Sequence, residues 1–501
     1  MARFWFFPSL VILILGGDSQ TQEPAKKPAP LAFHITYDPR VCSVPFTGRV
    51  FVMVSKQAIK DQPLKPKWFN PEPIFALDVK DWKPGTKLVL GNSALGFPAP
   101  LATLPKETYS VQAIMDFDRG SQNAVNAPGN GFSKPIRLEV DPAKTGTVRL
   151  TIDQVIPARK FEETERVKLV DIESKLLSAF HGRPMRLRAG VVLPKTFSKN
   201  QDQRYPVIYE VPGFGGNHFM AHGALARNAT EVAGIDMLHV VLDPESRLGH
   251  HVFADSENNG PCGRALVEEL IPAIEGKFRA LGTPGGRFVT GHSSGGWSSL
   301  WLQVSYADFF GGVWSTAPDA VDFRDFQRVN IYAPKNNLFA DDKGQPRPLA
   351  RKGGKVVLYY KPFSDLENVL GHGGQLESFE AVFSPRGRDG KPRRLWDRFS
   401  GRIDLQVAKA WQRYDIRMVL QKNWPALAPR LAGKVHVYMG AEDNFYLEGA
   451  TLLLKQTLTN LGSDAVVEIF PGRDHSTLLD KELRQRIATE MAEQFRRNFK
   501  K

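Results

Sequence analysis

From Arg186 to the C-terminus, short β-branched runs alternate with amphipathic helical stretches, and this alternation limits the fold more than any other feature of the chain. Residues 186–194, 205–212, 238–243 and 287–290 read as strands. A helix is expected near 218–232, another over 263–280 with Leu266, Leu270, Ile271, Ile274 and Phe278 near helical spacing, and a third from Ser294 onward. The pattern pauses over 321–432, a stretch rich in Gly, Pro and Arg with helices expected around 406–421. It resumes with a strand at 435–439, a helix at 447–461, a strand at 465–470 and a terminal helix at 481–498. Strands that alternate with helices predict an α/β fold, a mostly parallel sheet covered on both faces. The pause reads as an insertion over that sheet, entering at the edge where substrates approach and expected to form part of the pocket wall or cover it.

The preceding part of the chain has a different rhythm. Residues 50–54, 109–115 and 146–156 alternate or are β-branched, with Val148, Leu150 and Ile152 on one face, and turn-rich stretches such as Asn126-Ala127-Pro128-Gly129 lie between them. Residues 31–157 are therefore expected to form a small all-β domain of about a hundred residues, a β-sandwich for which an immunoglobulin-like arrangement is one model. The charged stretch 158–185 is expected to link it to a catalytic domain over 186–501.

At the N-terminus, Arg3 precedes an apolar run from Phe4 to Leu15, and Gly17 and Ser19 suit a signal-peptidase site. Residues 1–19 read as a signal peptide and 20–30 as a Pro/Lys-rich linker, so a secreted or periplasmic protein is expected. No later run is long and apolar enough for a membrane span. Composition is that of a globular protein, 42% hydrophobic and 24% charged. The net charge of +13 comes from cationic and anionic residues spread along all 501 positions. No nucleic-acid motif accompanies it, and no nucleic-acid partner is expected. The two cysteines, Cys42 and Cys262, supply no disulfide framework, and whether they pair is left open by their spacing.

Chemistry concentrates in Gly291-His292-Ser293-Ser294-Gly295-Gly296, between a strand and a helix. This is the context of a nucleophile elbow, in which a strained turn exposes a serine hydroxyl and glycines let the strand and helix approach. Ser293 is the candidate nucleophile, and the Ser294 N–H is a candidate oxyanion donor near the positive end of the helix. His475, after the last strand, is the candidate base. Asp443, after the strand before that, is the candidate acid. Glu442 is its nearest rival, and Asp319 and Asp322 are alternatives beyond a strand near Val313. Strand 205–212 runs into Gly213-Phe214-Gly215-Gly216-Asn217, a loop suited to a second oxyanion donor, for which the Phe214 N–H is the candidate. No Gly-Lys-Ser/Thr follows it, so a nucleotide loop is not expected. His250 and His251 lack a third ligand at a recognisable spacing, and no metal or cofactor is expected.

These segments, with Asn259-Gly260-Pro261 leading into Glu268-Glu269-Leu270-Ile271-Pro272, resemble the esterase family that includes esterase D, feruloyl and acetylxylan esterases, and enterochelin esterases. The resemblance covers about 186–495, with the insertion outside the usual pattern. It implies the α/β-hydrolase fold and a carboxylic-ester hydrolase without cofactor, acting on a small-molecule or polysaccharide-linked ester. An acyltransferase or peptidase would use the same triad. An inactive hydrolase-like protein that binds carbohydrate or a surface would not need it intact.

Overall fold

In the computed structural model, residue 1 and residues 29–60, 62–118 and 120–499 are described. The expected signal peptide after Met1 and nearly all of the linker behind it lie outside the described residues. Two large sheets organise the rest.

The second sheet carries the chemistry-bearing loops. Its eight strands run, in spatial order, Val167–Glu173, Arg186–Val192, Leu238–Leu242, Val207–Val211, Arg287–His292, Gly312–Thr316, Val435–Gly440 and Val466–Phe470. The first two pair antiparallel, Arg186–Val192 pairs antiparallel with Leu238–Leu242, and every later pairing is parallel. This is the mixed sheet of an α/β hydrolase. Its central strands are buried throughout, as in Leu238–Leu242 and Gly312–Thr316, because both faces are covered. Trp297, Leu300 and Val304 of helix Ser294–Ser305 pack in the large core on one face. Ile208, Phe288, Trp314 and Tyr438 meet Met491 of helix Lys481–Phe499 on the other. The parallel strands all end on one side, so the loops after Val211, His292, Thr316, Gly440 and Phe470 converge there.

Three expected boundaries shift. The stretch expected as a linker over 158–185 contains strand Val167–Glu173 and helix Lys175–His181. That strand is an edge with one partner, so solvent takes the charged side chains that disguise it, while Val167 and Val170 are buried. The helix expected near 218–232 is only a turn, His218–Met220, and Ala221–Ala226, because Asn228 (φ 54°) and Gly234 (φ 81°) turn the chain back. The helix expected over 263–280 is interrupted by a widened turn at Leu266–Leu270, next to Pro272, which has no N–H to continue the ladder.

Residues 29–155 form a nine-stranded sheet whose halves enclose Phe33, Ile35, Val50, Val52, Val111, Leu150 and Ile152. Strand Phe46–Ser55 is buried on both faces. Its second face, with Phe51 and Met53, packs on Leu366 and Val369 of helix Tyr360–Leu370. That helix belongs to the insertion, which also supplies hairpin Pro348–Lys352/Lys355–Tyr359 and helices Gln375–Phe383, Leu405–Trp411 and Ile416–Leu431. Arg49 reinforces the junction: it donates to the carbonyls of Asn368 and Val369 while its fork grips Asp78. His372 lies 2.8 Å from Asp116 Oδ2 across the same boundary. The insertion is thus clamped between the two sheets. Cys42 and Cys262 are free thiols, packed in different cores. Among the described residues, no helix is long and apolar enough to cross a membrane.

Candidate active site

Ser293 sits between strand Arg287–His292 and helix Ser294–Ser305 with φ 61° and ψ −126°. An L-residue held there is strained by roughly 1–3 kcal/mol. The surrounding glycines show why the turn closes so tightly. A Cβ on Gly295 would lie 1.9 Å from the Val211 carbonyl oxygen, and one on Gly291 would lie 2.1 Å from that of Gly295. The Ser293 N–H donates to the Thr316 carbonyl at 3.0 Å, and its own carbonyl accepts from Trp297 and Asp319. The backbone is fixed on both sides, and the hydroxyl faces a cavity.

Asp443 and His475 leave the ends of the last two strands. Gly440 lets their loops meet, since a Cβ there would lie 2.3 Å from the Arg473 carbonyl oxygen. Asp443 is fully buried, and its Oδ2 lies 2.7 Å from His475 Nδ1. The other oxygen accepts the Phe445 N–H at 2.8 Å, and Arg351 donates to the Asp443 carbonyl. Burial pulls the His475 pKa down, but the charge and hydrogen bond of Asp443 outweigh it, and the net shift is upward. His292 stacks obliquely 4.6 Å from His475. Burial and the neighbouring His475 push its own pKa down to about 3, so it stays neutral.

The alternative acids stand elsewhere. Asp319 accepts from the Ser294 hydroxyl at 2.6 Å and from Gln375 at 3.4 Å, and Gln375 also donates to Ser294 Oγ at 3.1 Å. Burial pushes its carboxyl up to about 6, against the pull of the Ser294 hydrogen bond and the His475 charge. Asp322 is tied to Arg324 and Arg417, and Glu442 is exposed.

Beside the serine, Gly213 begins the loop expected to carry the second oxyanion donor. A Cβ there would be 3.1 Å from the His292 carbonyl oxygen and 4.0 Å from Ser293 Oγ. His250 fixes the loop's start: its Nδ1 accepts from Val252, which leaves Nε2–H to donate to the Pro212 carbonyl at 2.8 Å. Asn217 ends the loop by accepting the Phe219 N–H. Phe214 and Ser293 line the same cavity, and Ser294 opens the helix that follows the serine.

Ser293, His475, Asp319, Gly213 and Phe214 line one cavity of about 290 Å³. As expected of the insertion, it supplies part of the wall, with Leu358, Phe363 and Gln375; the wall that sequence reasoning missed is Trp68, from the N-terminal sheet region. The one hint for Trp68 is an aromatic pair, Trp68-Phe69, in a proline-flanked loop. Among the described residues, no group of three or more His, Cys, Asp or Glu side chains is placed to hold a metal.

Solved structures similar to this chain include a ferulic acid esterase, 14% identical over 66% of this chain and 99% of that one, with a TM-score of 0.42. They also include an S-formylglutathione hydrolase from Agrobacterium tumefaciens, 15% identical over 66% and 95%, TM-score 0.41. A third is Est1E from Butyrivibrio proteoclasticus, 14% identical over 62% and 95%, TM-score 0.35. No protein of curated function matches the sequence. The family model described as "Putative esterase" matches residues 179–478, more than half of the chain, with Ser293, Asp443 and His475 inside the match. The chain belongs to this esterase family and is a carboxylic-ester hydrolase.

Proposed function

We propose that the hydrolase works through an acyl-enzyme on Ser293, with His475 as base and Asp443 as its orienting acid. The observation that carries this reading is the 2.7 Å contact of Asp443 Oδ2 with His475 Nδ1, in the cavity that Ser293 faces. Asp443 accepts the Nδ1–H, which leaves Nε2 unprotonated and able to take the serine proton. Ser293 Oγ then bonds to the ester carbonyl carbon, and the oxyanion receives the N–H groups of Phe214 and Ser294. Collapse breaks the bond to the leaving alcohol, which takes the proton from His475. Water adds to the acyl-enzyme with His475 again as base, the Ser293 ester bond breaks, and carboxylic acid and free serine result. A fluorophosphonate probe tests the assignment: it labels Ser293 in the active protein, and labelling at another serine would refute it.

The chain is further proposed to be exported and to act on acyl groups carried by polysaccharide. Support for export is the Arg3 start and the apolar run to Leu15. N-terminal mass spectrometry of native protein is expected to find a mature start near Gln20; an intact Met1 start would overturn export by signal cleavage.

A further inference from the structure

Away from the serine, a cavity of about 420 Å³ opens where three parts of the chain meet: Gly120 of the N-terminal sheet region, strand Arg186–Val192 of the hydrolase, and the insertion segment around Arg386. Its size suits a small molecule. Six cationic side chains line it, Arg183, Arg186, Arg188, Arg247, Arg386 and Lys391. Arg186 and Arg188 stand two apart on one strand, so they project from the same face, where they share Asp171. Arg247 pairs with Asp118. Arg183, Arg386 and Lys391 form no ion pair with any described residue. Burial, and then the charges of Arg183 and Arg386, lower the pKa of His181 in the same lining, against the pull of its hydrogen bond to the Asn259 carbonyl. Both guanidinium groups therefore bear on one spot.

The two acids of the lining are already engaged. Asp243 Oδ2 lies 2.7 Å from His218 Nδ1, and its Oδ1 accepts the Glu245 N–H. Glu245 Oε1 accepts the Ser121 hydroxyl and the Gln122 N–H, and its Oε2 accepts from Asn217. What is left over is a donor. His251 Nδ1 accepts the Phe253 N–H at 3.1 Å, which puts the ring proton on Nε2. The residue is only 5% exposed. Burial and the neighbouring His250 push its pKa down to about 3, so the ring is neutral. Its Nε2–H finds no partner in any other described residue, yet the ring lines the cavity and that nitrogen is not sealed off from it. A buried donor left open in a native protein asks for an acceptor from outside. A cation entering here would meet no free carboxylate, whereas an anion meets positive charge and an open N–H.

We propose that this cavity is a binding site for a small multivalent oxyanion, of the phosphate or polycarboxylate kind, which accepts from the His251 Nε2–H and pairs with Arg183 and Arg386. The occupant is a free anion and not the ester, because Ser293 and His475 line a different cavity. Arg183 belongs to the hydrolase and Arg386 to the insertion, so the bound anion bridges the two and stabilises their junction.

The test is calorimetric titration of the full-length protein with inorganic pyrophosphate and with citrate, at about 0.15 M NaCl, where exposed charges are screened over roughly 8 Å. Wild type is expected to bind at least one of them saturably, and its melting temperature to rise with the concentration of that anion. Arg183→Gln combined with Arg386→Gln is expected to weaken the binding at least about tenfold. Lys422→Gln combined with Lys455→Gln removes the same charge from exposed positions elsewhere and should change it less than about twofold. A cooperative melt shows that a variant is folded; should the arginine pair fail it, Arg183→Gln alone decides, with a loss of at least about threefold. No saturable binding of either anion to wild type overturns the site. Equal weakening by the two double variants overturns it too, since the effect would then be one of net charge. Binding is read without turnover, so this site and the reading of Ser293 can fail separately.

Discussion

The loops at the strand ends and the walls that close over them are held by different means. Around Ser293 the positions are set by backbone meeting backbone. A single added methyl at Gly291 or Gly295 would fall about 2 Å from a carbonyl oxygen, so neither geometry nor residue type has room to vary. The walls are set by side chains brought together from distant segments: Trp68 from near the N-terminal sheet, Phe363 and Gln375 from the insertion. Their contacts are ring packing and a few side-chain hydrogen bonds, which tolerate exchange. On the proposed mechanism the first region carries the reaction common to any ester, and the second is expected to select which ester arrives. Substitutions in the first should depress turnover of all substrates alike, and substitutions in the second should redistribute it among them.

The largest effect belongs to the nucleophile. Ser293→Ala is expected to lower kcat by roughly 10⁴–10⁶ on every ester, as loss of a triad serine does. It should leave the melting temperature nearly unchanged, since alanine keeps the Cβ and with it the backbone strain of the turn. Equal residual activity across a panel of aryl and sugar esters would be the signature. A loss confined to one substrate class would place Ser293 among the walls.

Next comes the orienting acid. Asp443→Asn should reduce turnover by about 10²–10⁴, because the imidazole then loses its fixed tautomer. The pH profile adds a second readout. Catalysis needs neutral His475, so kcat/KM falls as pH drops through its pKa. With Asp443 present the raised pKa puts that limb above the ordinary histidine value of about 6.5. In the variant, burial acts without the opposing charge, and the limb should move to lower pH. A limb that stays in place would mean that another group holds the histidine.

The same division explains what was legible in the sequence. The elbow is a local pattern: three glycines and two serines within six residues, between a strand and a helix, already specify the turn. Asp443 and His475 are legible as neighbours because each follows a strand and one helix–strand unit separates them. Strand Val167–Glu173 is not, since an edge strand can be as charged as a linker. The packing of Leu366 and Val369 on Phe51 and Met53 leaves no local trace either, because a buried helix face reads the same whatever covers it. Nor does the sequence say that Trp68 reaches the cavity of Ser293, which lies more than two hundred positions away.

Asp319 sits where the two regions meet, bonded to Ser294 of the elbow and to Gln375 of the insertion, and its substitution should give the smallest kinetic effect. Since Asp443 occupies the Nδ1 side of His475, Asp319→Asn is expected to change turnover less than about tenfold. Its clearer consequence is on stability. The folded carboxyl has a pKa near about 6, above its ordinary value of 3.8. Between those values the folded chain keeps a proton that the unfolded chain releases, so stability falls as pH rises from about 4 through about 6. A shift of that size corresponds to at most about 3 kcal/mol. Asparagine still accepts from the Ser294 hydroxyl and cannot ionise. The variant should therefore melt with wild type near pH 4 and above it near pH 8, with the gap opening through pH 6. A gap independent of pH would show that the carboxyl is not held protonated in the fold. A hundredfold loss of turnover would make Asp319 part of the machinery after all, and the line between the two regions would have to be redrawn through it.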